Sequence, residues 1–350
     1  MVAGKGPLPP LQVSRRRLLR GALGGVAGLG LNDKLPPGVT PSPANLRRVG
    51  IDYSLWHKTE HWQRVWGTPS RGFYRSDNRA VIRAHAAQLH EAGVDFLILD
   101  ASNDIGSDVR TNVGIPYQQF EEHVTALIFD EYARMQRRPN LCFMLGYVPN
   151  SNDLVNGRLS AKASEIDDVY VQDTRYNRLF EIYEGRPLLI IYGETPARYQ
   201  NSLPPWSDPR FTVRFMTAGL TQQPALLGSV DEHREHVSRL GYWSWQDRGA
   251  SSYPVVDGHP EAMMITAFWP DDIPNHHPGR GRMGGKLYRA EWQRARRIGP
   301  RFLIAGTFNE WIASEQPSAE MSKDVEPSLE HGNLYLDIIR DEATRFRAGR

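Results

Sequence analysis

The chain has 350 residues, a length at which a barrel of alternating strands and helices still forms one domain. Its 42 basic and 40 acidic side chains leave a formal charge of +2, so no global field gathers nucleic acid or an anionic membrane. Cys142 is the only cysteine, which excludes an intramolecular disulfide and a cluster of cysteine metal ligands and leaves stability to the core.

At the N-terminus, Ser14-Arg15-Arg16-Arg17-Leu18-Leu19-Arg20 runs into the apolar, glycine-rich stretch Gly21 to Leu31, the pattern of a twin-arginine export signal. That stretch is too short to cross a bilayer core of roughly 30 Å as a helix, so no stable membrane span is expected after processing. The expectation is a signal over residues 1–35 recognised by the twin-arginine translocase, a proline-rich linker over 36–47 and a folded domain over 48–350. Such a protein is exported to the periplasm, the cell envelope or the medium.

Eight short apolar runs then follow: Val49–Tyr53, Phe96–Asp100, Leu141–Tyr147, Leu188–Tyr192, Thr212–Thr217, Gly241–Trp245, Met263–Phe268 and Phe302–Thr307. Several are almost continuously apolar, as parallel strands buried on both faces are. Helical periodicity separates them over Asn78–Ala92, Tyr117–Arg137, Gln172–Glu184, Val230–Leu240, Leu287–Arg297 and Leu334–Phe346. Strand and helix in alternation, with no glycine-rich phosphate loop after the first strand, predict an α/β chain folded as a single-domain (β/α)8 TIM barrel. The irregular stretches Asp104–Pro116, Val148–Ser160 and Pro270–Gly285 fall after strands two, three and seven. Loops there lie on the C-terminal face of a barrel, where sites are built.

The strand ends carry the chemistry. Strand one supplies Asp52, Tyr53, Trp56 and His57, strand two Asp100, Ser102 and Asn103, strand three Tyr147 and Asn150, and strand four Tyr192 and Glu194. Strand six supplies Trp243, Trp245, Asp247 and Arg248, strand seven Trp269, and strand eight Asn309, Glu310 and Trp311. Sugars present apolar C–H faces and many hydroxyls, so sites for them combine aromatic platforms with carboxylates and amides. Cleavage of a glycosidic bond needs one carboxyl as base or nucleophile and another that protonates the leaving oxygen. Glu310 is assigned the first part, and Asp247, Glu194 or Glu326 the second. Tyr53, Trp56, His57, Asp100, Asn103, Trp245, Arg248, Trp269, Asn309 and Trp311 are assigned to sugar binding, whereas Asp52 and Trp292 read as structural.

Other chemistries find less support in the residues. His276-His277 lacks an acid at metal-ligand spacing, His57 and His61 stand outside any HExxH pattern, and neither a metal nor another cofactor is expected. No Gly-x-Ser-x-Gly elbow occurs, and Cys142 within a strand reads as core.

Three segments, Trp66-Gly-Thr-Pro with Gly72-Phe-Tyr-Arg-Ser-Asp77, Ala92-Gly-Val-Asp-Phe-Leu-Ile-Leu-Asp100 and Phe308-Asn-Glu-Trp311, give the chain a resemblance to glycoside hydrolase family 99 from about Val49 to Ile339. Asp324-Val-Glu326-Pro327 and Gly332-Asn-Leu-Tyr335 resemble a bacterial branch of that set. The resemblance implies an endo-acting hydrolase of a polysaccharide or glycan, related to endo-α-mannosidases. It also implies two glutamates three apart after the last strand, the first assisting the substrate's own 2-hydroxyl and the second serving as acid and base. Glu310 matches the first, and Ala313 stands at the second. Glu315, Glu326 and Asp247 are the alternatives for the missing acid. The loss of the pair also leaves open a catalytically silent carbohydrate-binding barrel of the cell envelope, or a barrel involved in polysaccharide assembly.

Overall fold

The computed structural model describes residues 47–59, 62, 65–102, 115–147, 157–193, 206–218, 236–245, 252–269, 281–311 and 318–349. The strands are β1 (Arg48–Ser54), β2 (Phe96–Ala101), β3 (Asn140–Tyr147), β4 (Ile182–Tyr183), β5 (Arg186–Gly193) and β6 (Thr212–Ala218), then β7 (His236–Ser238), β8 (Trp243–Trp245), β9 (Ser252–Val256), β10 (His259–Pro260), β11 (Ala262–Met264) and β12 (Phe302–Thr307). The α-helices are α1 (Arg79–Glu91), α2 (Ile115–Arg134), α3 (Arg158–Ile166), α4 (Lys286–Ile298) and α5 (Leu334–Arg347).

Eight of these strands, in the order β11-β12-β1-β2-β3-β5-β6-β8, form one parallel sheet, and each of the eight runs expected from the sequence supplies one of them. The two ends of the sheet approach each other, and Met264 N on β11 donates to Ser244 Oγ on β8 at 3.2 Å. The result is the nearly closed (β/α)8 barrel that the alternation predicts.

Side chains alternate between two cores. Phe96, Ile98, Cys142, Met144, Leu188, Ile190, Met216, Trp243, Phe302 and Ile304 fill the lumen, while Leu97, Leu99, Leu141, Phe143, Leu189 and Leu303 pack under the helices. Gly50 is where β1 makes room for a lumen ring, since a Cβ there would fall 2.4 Å from Phe96. Register then carries the inward direction up β1: Gly50 pairs with Phe96, Asp52 with Ile98 and Ser54 with Asp100. Asp52 and Asp100 therefore share the lumen.

At the opposite end a buried polar knot shuts the barrel. Glu261 accepts from Tyr183 OH at 2.7 Å, Trp243 Nε1 at 2.8 Å and Arg214 Nε at 2.9 Å, which joins the start of β11 to β4, β8 and β6. Beside it, Arg48 on β1 donates to Glu181 through Nε at 2.8 Å and Nη2 at 2.5 Å.

Helix α1 forms where the sequence predicts it, one residue shorter at each end. Asn78 Oδ1 caps it by accepting from Ala80 N at 3.0 Å, and Gly93 (φ 83°) follows its end. The helix expected over Gln172–Glu184 is replaced by turns and the short strand β4, with α3 lying upstream at Arg158–Ile166. Asp173 Oδ1 takes Arg175 N at 2.8 Å, a local bond that competes with helix, and Glu184 and Gly185 at φ 49° and 78° turn β4 back antiparallel onto β5.

Of the helix expected over Val230–Leu240, residues 230–235 lie outside the described residues. His236–Ser238 is strand β7, paired parallel with β9. Asp257-Gly258 folds β9 onto β10 with φ of 51° and 77°, and this pair, lying between β8 and β11, joins β7 from before β8 in a small three-stranded sheet. The loop expected over Val148–Ser160 gives way to α3 from Arg158 onward, and that over Asp104–Pro116 to α2 from Ile115. The rest of both, like the leader and linker before Arg47, lies outside the described residues. Among the described residues no helix is long and apolar enough to cross a membrane.

Replacing Glu261 with Ala leaves the buried donors Tyr183 OH and Trp243 Nε1 without their acceptor and a part-buried Arg214 with Glu184 as its remaining carboxylate. The expected cost is about 3–5 kcal/mol of unfolding free energy, measured by urea denaturation. A loss under about 1 kcal/mol would mean that the knot contributes no more than an exposed ion pair.

Candidate active site

The chain leaves β12 through Phe308-Asn309-Glu310-Trp311, and a second segment, Ser322 to Glu326, runs alongside it. Val325 N donates to Thr307 O at 3.1 Å and Glu326 N to Phe308 O at 2.9 Å, with Thr307 and Asp324 bridged in parallel. On the other side Phe308 N donates to Asp52 O at 2.8 Å. Glu310 is thus presented from a backbone held on both flanks.

Asn309 latches the end of β12 to the end of β1, the last barrel strand to the first. Its Oδ1 accepts from Ser54 N at 2.9 Å, and its Nδ2 donates to Ser54 O at 3.3 Å and Tyr74 OH at 3.2 Å. His57 Nε2 lies 2.6 Å from Asn309 O, so that nitrogen carries a proton, and its ring stacks on Trp62 at 4.5 Å. Trp311 has φ of 55°, a left-handed conformation that costs energy in a bulky residue. Stacking on Trp66 at 4.7 Å and donation from its Nε1 to Glu326 hold it there.

Two carboxylates of the second segment do structural work. Asp324 accepts from Glu310 N at 2.7 Å, Trp66 Nε1 at 2.9 Å and Ser322 Oγ at 2.9 Å. Arg282, between the Trp66 and Tyr335 rings, donates to Ser322 O at 2.7 Å and Asp324 O at 2.5 Å. Glu326 is buried, with Tyr74 OH donating at 2.8 Å, Trp311 Nε1 donating as well, and His85 Nε2 3.1 Å away.

Glu310 is differently placed. Its Oε2 lies 2.5 Å from Lys323 Nζ, and the two side chains keep 18% and 21% of their surface exposed. Burial raises the Glu310 carboxyl above its ordinary value while Lys323 pulls it down. Burial works to lower Lys323, yet the negative charge of Glu310, with Asp324 and Asp52 behind it, holds the ammonium above its usual value. Asp52 lies deeper, fully buried, and burial together with the charges of Asp100 and Glu310 pushes it well above the usual carboxylate range. Asp100 is buried near it, with Oδ1 accepting from Ser102 N at 3.1 Å. Burial thus raises both carboxyls, Asp52 the further, and Glu310 alone has the Lys323 ammonium at 2.5 Å.

The structure brings Glu310, Asp100 and Asp52 together and adds Lys323, a residue with no distinguishing pattern in the sequence. Asp52, structural by its sequence pattern, faces the same lumen as the other two. Tyr53 faces outward instead, with its OH 3.0 Å from His85 Nδ1 and its ring stacked on Phe308. Trp56, Trp269 and Trp311 are buried, whereas half-buried Trp245 meets Tyr192 at 5.5 Å on the β5 and β8 side. Asn103, Asn150, Glu194, Asp247, Arg248, His276, His277, Ala313 and Glu315 lie outside the described residues. Among the described residues no group of three or more His, Cys, Asp or Glu side chains is arranged to hold a metal ion.

No family model and no curated protein matches the chain. Solved structures do. The GH99 endo-alpha-mannosidase from Bacteroides thetaiotaomicron in complex with bis-tris propane superposes with a TM-score of 0.57 at 16% identity, covering 87% of this chain and 98% of that one. A second structure of the same enzyme gives 0.54 at 14% identity with the same coverage. A glycoside hydrolase-like protein gives 0.53 at 14%, over 87% of this chain and 96% of its own. At these identities the likeness is one of fold, and it extends over nearly the whole barrel.

The saturation of Glu326 separates it from Glu310 experimentally. Glu326→Leu leaves Tyr74 OH and Trp311 Nε1 as buried donors without an acceptor, and the expected loss is about 2 kcal/mol or more in urea unfolding, with an altered near-ultraviolet tryptophan signal. Unchanged stability and spectrum would remove Glu326 from the scaffold.

Proposed function

We propose that this chain is an exported glycoside hydrolase that cleaves within a polysaccharide or glycan, with Glu310 as its base or nucleophile. The observation that carries the reading is the pairing of Glu310 with Lys323 at the end of the last barrel strand, beside the buried carboxyls of Asp52 and Asp100. A mostly buried carboxylate with an ammonium beside it is suited to take a proton from an attacking oxygen or to attack the anomeric carbon itself. The fold shared with glycoside hydrolases supports the same class of reaction.

The leaving oxygen needs a proton at the same time. Glu326 is unsuited, since it is buried and its Oε2 accepts two hydrogen bonds that hold Tyr74 and Trp311, with His85 against the other oxygen. Asp100 is suited by position, and Asp247 and Glu194 by their sequence places after barrel strands. The half-buried Trp245–Tyr192 pair supplies an apolar face for a sugar ring across the lumen. Endo-action follows from long segments after several strands, and export from the twin-arginine pattern.

Glu310→Gln is expected to lower turnover of the responsive member of a panel of mannans, glucans and arabinans at least about a thousandfold, scored by release of reducing ends. Undiminished turnover would take Glu310 out of the chemistry. Glycan binding without turnover in the native chain would identify the silent carbohydrate-binding barrel instead.

Lys323→Met gives a pH test with a fixed sign. Lys323 lowers the proton affinity of Glu310, so without it Glu310 protonates at higher pH. The acid limb of the kcat/KM profile is therefore expected to move to higher pH. A limb that stays in place would show that Glu310 does not set it.

A further inference from the structure

Below the Glu310–Lys323 pair lies a carboxyl for which the proposed reaction has no part. Asp52 pairs in register with Ile98 on β2 and Thr307 on β12, a step deeper in the lumen than Asp100 and Glu310. It is fully buried, and among the described residues neither carboxyl oxygen has a hydrogen-bond partner. A carboxylate in that position is among the costliest groups a protein can bury, whereas the neutral acid is far cheaper. The groups facing it sharpen the difference. Asp100 from β2, Glu310 and Asp324 are acidic, Cys142 from β3 is a buried thiol, and Lys323 supplies positive charge.

That positive charge is already engaged, at 2.5 Å from Glu310 Oε2. A charged Asp52 would divide Lys323 between two anions and loosen the carboxylate at the mouth. We propose that Asp52 is a positioning residue: it stays uncharged at neutral pH, and its neutrality leaves Lys323 committed to Glu310. The effect on catalysis rests on the hydrolase reading, while the charge state does not. Loss of the Asp52 proton at high pH would put a second anion beside Glu310 and end the commitment.

Asp52→Asn exchanges the neutral acid for a neutral amide of the same shape, and thermal unfolding of the full chain across pH reads the charge state. An acid whose folded value is raised confers stability that is complete below its unfolded value of about 3.8 and is lost as pH rises toward the folded value. Asn has no such proton to lose. The Tm of the variant is expected to gain on that of the native chain as pH rises from about 4 to 9. A Tm difference that stays flat over that window overturns the uncharged state.

The second measurement is infrared. The native chain at neutral pH is expected to show a protonated-carboxyl band that Asp52→Asn lacks, and the same band in both overturns the proposal. Asp52→Ser repeats both measurements should the amide variant not fold. On a glycan that the native chain turns over, Asp52→Asn is expected to move the alkaline limb of the rate profile up by about one pH unit or more. An unmoved limb overturns positioning, even where the charge state holds. If the native chain turns over no glycan, the hydrolase reading fails, and the thermal and infrared results still decide whether Asp52 is neutral.

Discussion

A parallel sheet closed on itself must fill its own lumen, and that requirement orders this molecule from one end to the other. At the N-terminal ends of the strands the filling is polar and saturated, around Glu261 and Glu181, each tied to an arginine. In the middle it is apolar, with Phe96 accommodated by Gly50 and crossed by Phe302 edge to face at 5.9 Å. At the C-terminal ends it is acidic again, but incompletely paired. The two polar layers differ in the one respect that separates scaffold from chemistry, since buried polar groups with full partners stabilise and those without remain reactive.

The mouth also depends on a segment that belongs to no barrel strand. Ser322 to Glu326 adds itself to the end of β12, supplies Lys323 and Asp324, and is clamped by Arg282 between two aromatic rings. Sequence distance hides this arrangement. Lys323 is an ordinary lysine by pattern, and its pairing with Glu310 arises only because two chain segments converge. Asp52 is hidden differently: its inward direction follows from strand parity, but that it has no partner follows from what the neighbouring strands fail to provide.

Much of the barrel is legible in the chain itself. Near-continuous apolar runs identify the eight strands because a strand buried on both faces has nothing polar to show, and Asn78 with Gly93 bounds α1 by capping. The errors share a cause. Gln172–Glu184 has helical spacing of its apolar residues, but an Asp173 side-chain turn and the Glu184-Gly185 hairpin override it. Asp257-Gly258 is a strong hairpin signal, yet it serves two strands, β9 and β10, that are too short to stand out by periodicity. In the site, Glu310, Asn309 and Trp311 stand out as a polar and aromatic cluster. Their different tasks do not, because a latch, a prop and a reactive group can share one tripeptide.

Glu310 and Glu326 show why partner number, rather than position, separates those tasks. They lie on adjoining segments at the same end of the barrel. Glu326 is met by a phenol, an indole and an imidazole, so protonating it would cost the bonds that hold Trp311 in its left-handed turn. Among the described residues Glu310 meets one ammonium, and it keeps part of its surface open. A proton can reach it without dismantling the scaffold, and the charge of Lys323 opposes that uptake. The rigid, hydrogen-bonded carboxylate of Glu326 thus secures the backbone from which Glu310 is presented, a division that requires both to be acidic and only one to be tied into the scaffold.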